Sequence, residues 1–207
     1  GYDVQREFYV NDAGNQIEKF GKSLNLRFMQ ICNGKGQAVI EKCGGNIQDI
    51  CETIYNDSES FPMPEDVYLG MDIIEHAYNY FKENGSSLSS ENEDIRKKTL
   101  TDFALPKNIA GLERDLAKYR ITYDNWFKES TLHNDGSVNE IIQKLKASGY
   151  TYELDGALWF KSSQLGDEKD RVLVRANGVV TYFVPDIAYH YNCLLYTSPS
   201  PRDRSLS

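Results

Sequence analysis

The chain has 207 residues, 40% of them hydrophobic and 26% charged, with a formal net charge of -8. That length can bury a sizeable core as one large or two small domains, and the composition is ordinary for a globular protein. The acidic balance argues against a general nucleic-acid binder, which needs clustered Lys and Arg against phosphates, although a local basic surface stays compatible with it. No run approaches the length of a membrane span and no signal peptide opens the chain, so the expected location is cytoplasmic. The four cysteines, Cys32, Cys43, Cys51 and Cys193, lack C-x-x-C spacing and a nearby histidine, which points to free thiols rather than a zinc site or disulfide framework.

Taken in order, Val4 to Val10 reads as a strand that the chain enters directly, as though an earlier helix were lost. Asn11 to Gln16 follows as a turn of residues that tolerate unusual backbone angles. Ile17, Phe20, Leu24, Phe28 and Ile31 then recur at three and four, the period of an amphipathic helix to about Cys32. Asn11, Asp12, Asn15 and Gln16 therefore gather where a sheet meets a helix N-terminus. That place suits polar ligands, and the same residues equally serve as turn formers and caps.

Residues 33 to 70 read as an irregular insertion, with one short helix between Asn46 and Tyr55 and glycines around an apolar piece at Ala38 to Ile40. Ile73, Ile74, Ala77, Tyr78 and Phe81 form a helical face that Asn84-Gly85 closes. Ser86 to Glu93 reads as a mobile polar loop, and Ile95 to Tyr119 as a helix kinked at Pro106.

After Arg120 the period shifts toward strand. Thr122 to Ser130 is aromatic and extended, leaving Glu129 near a strand end, where a lone acid is usually solvated. Ser137-Val138-Asn139-Glu140 has the pattern of a capping box, opening a helix that ends at Gly149. Asp155-Gly156 and Asn177-Gly178 separate alternating runs and predict hairpins, an antiparallel ribbon that feeds a final parallel strand at Val179 to Phe183. The piece Gly166 to Arg171 reads as a solvated loop whose paired charges could fix its shape.

Pro185 marks a helix start, because its missing N–H has no partner in a first turn. Asp186 then lies at the positive end of the helix dipole, with Tyr182 four positions earlier at the strand's exit. A ring and a carboxylate so placed can receive one small cationic ligand. The plainer reading is a capping acid and a core tyrosine. After Asn192 the composition changes: residues 193–207 have no period, are rich in Ser, Pro and Arg, and resemble translated adapter read-through, so they are set aside from the fold.

These blocks carry a family likeness. Arg6-Glu-Phe-Tyr-Val-Asn-Asp-Ala-Gly-Asn-Gln-Ile17, Trp126-Phe-Lys-Glu-Ser130, Asp155-Gly-Ala-Leu-Trp-Phe160, Leu165-Gly-Asp-Glu-Lys-Asp-Arg-Val172 and Tyr182-Phe-Val-Pro-Asp-Ile-Ala-Tyr-His190 stand in one order that resembles the catalytic domain of arginyl-tRNA synthetase, a class I aminoacyl-tRNA synthetase. The likeness spans residues 1 to 192 and is weakest over 33 to 62. It implies an α/β fold, a Rossmann-type catalytic core with an inserted helical and antiparallel β connective segment. The expected parts are 1–32 as the first piece of the core, 33–120 as a mostly helical segment, 121–192 as a β-rich connective segment returning to the core, and 193–207 as a non-native tail.

The resemblance further implies a cytoplasmic monomer that uses ATP, with Mg2+, to activate L-arginine and transfer it to tRNA(Arg). Tyr182 and Asp186 match the family's Tyr-x-x-x-Asp pair for the substrate guanidinium, a planar, always-charged fork that calls for a carboxylate acceptor. Glu129 matches a family acid near the substrate α-amino group, and Asn11, Asp12 and Gln16 match the turn bordering the amino-acid pocket. No catalytic residue is identified. The HIGH signature is expected upstream of Gly1 and the KMSKS-type loop and anticodon-binding domain beyond the C-terminal end, so this segment alone is expected to be inactive, since class I catalysis works by positioning and electrostatics. Competing readings are another class I synthetase, for cysteine or glutamate, and a non-catalytic arginine-binding module.

Overall fold

The computed structural model describes residues 4–197, which separate between Trp126 and Phe127 into two compact units. Each has its own hydrophobic core.

The first unit opens with β1 (Glu7–Val10), which forms a two-stranded sheet with β2 (Asn125–Lys128); the first two residues of β2 belong to this unit. The Arg6 carbonyl accepts from the backbone N–H groups of Asp124 (2.8 Å) and Asn125 (3.2 Å), while Asp124 Oδ2 takes the Arg6 N–H at 2.8 Å. Phe8 packs its ring on Tyr123 and Trp126 at 5.2 and 4.7 Å. The central helix is α1 (Gly14–Cys32), where Leu24, Phe28 and Ile31 are fully enclosed, as the three-four spacing predicts. Against it pack α2 (Gly34–Lys42), α4 (Met71–Asn84) and the 26-residue α5 (Glu93–Lys118), which contains Pro106, while α3 (Ile47–Asn56) packs on α2 and α4.

Two expectations for this unit fail for physical reasons. Residues 34–42 are helical, not irregular. Asn33 caps the helix by accepting the Gly36 N–H at 2.9 Å, and Gly36 permits an approach to α1 that no side chain would allow, since a Cβ there would lie 2.2 Å from the Gln30 carbonyl oxygen. The glycines that weaken the helical signal are the packing device. Ser87–Ser90 is a 3-10 turn rather than a loose loop, because Leu88 is buried in the core and Asn92 caps α5 through the Ile95 N–H at 2.9 Å.

Polar groups are also enclosed. Ser23 Oγ donates to the Lys19 carbonyl (2.6 Å) and accepts the Tyr68 N–H (2.9 Å), which ties the 57–70 connection to α1. Arg27, 3% exposed, donates to Gln30 Oε1 at 2.9 Å and to the Phe61 carbonyl at 3.3 Å; burial pushes its pKa below the ordinary value.

The second unit contains α6 (Glu129–Asn134), α7 (Ser137–Ala147), an antiparallel sheet in the order β3 (Thr151–Leu154), β4 (Ala157–Phe160), β5 (Arg171–Val174), and α8 (Phe183–Thr197). Leu132, Ile141, Leu173, Val184 and Ala188 meet in its core. The β3–β4 hairpin turns on Asp155 (φ 51°) and Gly156 (φ 75°), both left-handed as a two-residue type I′ turn requires. The capping box does not form: Ser137 is already helical, its N–H is taken by Asp135 Oδ1 at 2.8 Å, and Gly136 at φ 86° precedes it.

The final parallel strand is not found either. Only Val180 forms a strand pairing, an antiparallel bridge with Val174; Tyr182 lies in a turn and Phe183 already opens α8. Residues 193–197, expected to lie in a tail, continue α8, and residues 198–207 lie outside the described part.

The two glycines at the start of α2 make a paired test of its packing. Gly36→Ala should cost about 1–3 kcal/mol of stability, the usual penalty for overpacking. Gly34→Ala, which meets open space, should be neutral or mildly stabilising. Urea unfolding of both variants measures the difference.

Candidate functional site

Tyr182 and Asp186 are set by the way α8 begins. The Thr181 carbonyl accepts the Val184 N–H at 3.2 Å, the Tyr182 carbonyl accepts the Asp186 N–H at 3.2 Å, and Pro185, buried in the first turn, leaves no donor stranded. The proline is therefore the third residue of the helix rather than its first, and Asp186 is still in the first turn, where a negative charge meets the positive end of the dipole. Tyr182 is 72% exposed and Asp186 is also exposed, one turn apart, so Tyr182 does not fill core as the plainer reading would have it, while Asp186 keeps the place of a helix-start acid.

Glu129 opens α6 directly after β2. Its side chain is only 13% exposed, unlike a solvated surface acid, and its Oε1 lies 3.9 Å from His133 Nε2. The helix it starts packs on α8 through Leu132, so the second unit holds all three of Glu129, Tyr182 and Asp186. Asn11, Asp12 and Gln16 belong to the first unit. Asn11 and Gln16 line one open pocket of about 150 Å³ with Ile17, Phe20, Tyr68, Leu105 and Asn108; Asp12, half-buried, donates its N–H to the Val10 carbonyl at 3.0 Å. Asn108 Oδ1 is 2.5 Å from His76 Nε2. Sequence patterns gave no signal for Tyr68 or Asn108, which reach the pocket from distant segments.

The piece 166–171 is the largely exposed loop expected, and its paired charges do fix its shape. Arg171 Nε and Nη2 donate to the two carboxylate oxygens of Asp167 at 2.7 and 2.8 Å, a bidentate pair of charge-assisted bonds. Asp170 accepts from the Ser163 backbone N–H (3.1 Å), the Ser163 hydroxyl (2.6 Å) and the Tyr152 hydroxyl (3.0 Å). Ser162 Oγ donates to the Lys169 carbonyl at 2.7 Å. The Arg171 guanidinium holds the Asp167 carboxyl well below the usual carboxylate range, the Ser163 hydroxyl lowers Asp170, and Asp167 raises Arg171 in return. The four-residue spacing of opposite charges in Asp167-Glu168-Lys169-Asp170-Arg171 was the available signal.

With this geometry in view, the comparisons are decisive. Residues 1–194 match the family described as tRNA synthetases class I (R), catalytic domain. The chain belongs to that arginyl-tRNA synthetase family. It is 48% identical to the arginine–tRNA ligase of Acetivibrio thermocellus over 195 residues, 94% of this chain and 30% of that protein. It is 40% identical to the one from Heliobacterium modesticaldum over 192 residues, 93% and 30% respectively. A solved arginyl-tRNA synthetase structure from Campylobacter jejuni is similar with TM-score 0.70 and 32% identity, over 95% of this chain and 37% of that one.

The arginyl-tRNA synthetase of Plasmodium falciparum shares the fold at TM-score 0.50 and 18% identity, over 92% and 28%. The chain thus spans about a third of the length of these arginyl-tRNA synthetase relatives, and its mixed α/β architecture is that of their class I catalytic domain.

The lowered carboxylates carry a pH consequence. A carboxyl whose folded pKa lies below its ordinary value of 3.8 binds fewer protons folded than unfolded, so its stabilisation is present above that value and is lost as pH falls below it. Asp167, Asp170 and Asp135 all have this sign. Thermal melts between pH 7 and pH 2.5 should show a decline that sets in near pH 4, and Asp167→Asn should flatten part of it.

Proposed function

We propose that this chain supplies part of the arginine-recognition machinery of an arginine–tRNA ligase, which activates L-arginine with ATP and transfers it to tRNA(Arg). The observation that carries the reading is the Tyr182–Asp186 pair, exposed one turn apart at the positive end of α8 in a chain of this family. Asp186 would take the substrate guanidinium through paired charge-assisted hydrogen bonds, while Tyr182 offers its ring face or hydroxyl. A lysine ammonium, a compact point charge without the fork, would satisfy that carboxylate poorly.

Glu129 would receive the α-ammonium group, an assignment supported by its low exposure and by the packing of α6 on α8. Asn11, Asp12 and Gln16 would border the amino-acid pocket, with Asn11 and Gln16 already lining a common depression. Family comparison favours arginine over the cysteine and glutamate alternatives, and a glutamate site would need a cation where Asp186 stands.

ATP is the proposed co-substrate, and Mg2+ would arrive on its phosphates. Among the described residues no group of three His, Cys, Asp or Glu side chains could hold a metal ion. No helix among the described residues is long and apolar enough to cross a membrane. The proposed setting is a cytoplasmic monomer, and the division into core and connective segments is proposed to follow the boundaries 32/33 and 120/121.

Calorimetric titration with L-arginine tests the pair. Asp186→Asn should weaken binding about tenfold to a hundredfold, hydrogen bonds to charged groups being worth about 1.5–3 kcal/mol. Lysine should bind neither form. An unchanged affinity in Asp186→Asn would sink the arginine reading.

A further inference from the structure

The start of α8 rests on few bonds. The turn at Asn177-Gly178 brings the chain back along β5, where a single residue pair, Val174 and Val180, makes the bridge. That bridge consists of two backbone bonds, from the Arg175 N–H to the Val179 carbonyl and from the Thr181 N–H to the Leu173 carbonyl, both 2.9 Å, and Thr181 adds a side-chain bond from its Oγ1 to the Val172 carbonyl at 2.6 Å. Arg171, next in line, is the residue whose guanidinium Asp167 clamps from the preceding loop.

The geometry points to Thr181 and the Asp167–Arg171 pair as positioning residues that together fix the first turn of α8, and with it Tyr182 and Asp186, for a guanidinium ligand. The functional half of this inference rests on the arginine reading above; the geometric half does not.

The physical case is one of scarcity. A bridge of one residue pair leaves the register of the 179–182 segment weakly defined, and a slip by one residue would turn Tyr182 to the other side of the chain. The Thr181 hydroxyl adds a side-chain bond that only one register can make. An exposed ion pair normally contributes little, but bidentate Arg–carboxylate geometry is the exception, because two parallel bonds hold the guanidinium in one plane. Asp167 is itself fixed, since its N–H donates to the Ser162 carbonyl at 3.1 Å and neighbouring Asp170 is bonded to Ser163 and Tyr152. Affinity in such a site depends on residues held close to the productive geometry by neighbours that never touch the ligand.

The test compares Thr181→Val, Thr181→Ser, Arg171→Met and Asp186→Asn by amide hydrogen exchange at Val184 and Asp186 and by arginine titration. Thr181→Val and Arg171→Met should speed exchange of those two amides about fivefold or more, the equivalent of one net hydrogen bond lost. The same variants should weaken arginine binding about tenfold, as expected when a preorganised site loosens. Thr181→Ser, which keeps the hydroxyl, should retain both properties, and Asp186→Asn should weaken binding without the change in exchange at Val184. Unchanged exchange in Thr181→Val and Arg171→Met overturns the proposal whatever the ligand. Faster exchange with arginine affinity intact, in a chain where Asp186→Asn does lose affinity, overturns it as well. If Asp186→Asn leaves arginine affinity untouched, the arginine reading fails separately.

Discussion

The return of the chain along β5 is the constraint on which the second unit depends. Strand and helix there are not joined by a long ladder: the two backbone bonds of one bridge at Val180, one of them from the Thr181 N–H, and a side-chain bond from the Thr181 hydroxyl decide where extended backbone stops and α8 begins. Once Thr181 is fixed, its carbonyl becomes the first acceptor of the helix, and Val184 and Ala188 turn inward to join Leu132, Ile141 and Leu173. The same rotation leaves Tyr182 and Asp186 outward. Burial and exposure on α8 are thus two results of one anchor, and the apolar contacts on its inner face hold in place what the outer face presents.

The first unit reaches order by a different route. Here α1 is enclosed on several sides, and its polar residues are used rather than excluded: Ser23, Asn25 and Arg27 each bind a neighbouring segment from a buried position. Arg96 Nε donates to Asn25 Oδ1 at 2.6 Å, which ties α5 to α1, while Ser23 and Arg27 tie down the connection between α3 and α4. Burying such residues is tolerable because each makes hydrogen bonds, Arg27 through Nη1 although its Nε is left without one, and losing those bonds would cost more than they gain. The close approach of α1 and α2 needs Gly36, and that of α1 and α5 needs Gly21, where a Cβ would lie 2.9 Å from Thr101 Oγ1.

The long helices, the β3–β4 hairpin and the helix start near Pro185 were legible in the sequence. Each is encoded within one stretch: a three-four period, an Asp-Gly turn, a proline whose donor is dispensable in a first turn. The types of the proposed arginine-recognition residues were legible too, since Tyr182 and Asp186 lie one turn apart on whatever helix carries them. Hidden from the sequence were α2, whose glycines look like helix breakers until α1 lies against them, and the strand that was expected at Val179 to Phe183 but contributes only Val180.

The sequence by itself determined most of the helical segments, the β3–β4 hairpin and which acids and rings are available, because backbone propensity and hydrophobic period act over a few residues. Only the tertiary structure decided that Gly166 to Arg171 is a bonded clamp, that Glu129 is largely enclosed, that Asn108 and Tyr68 share a pocket with Asn11 and Gln16, and that Thr181 sets the first turn of α8. Those facts depend on partners distant in the chain or on the far side of a turn, and local patterns carry no information about which neighbour a donor will meet.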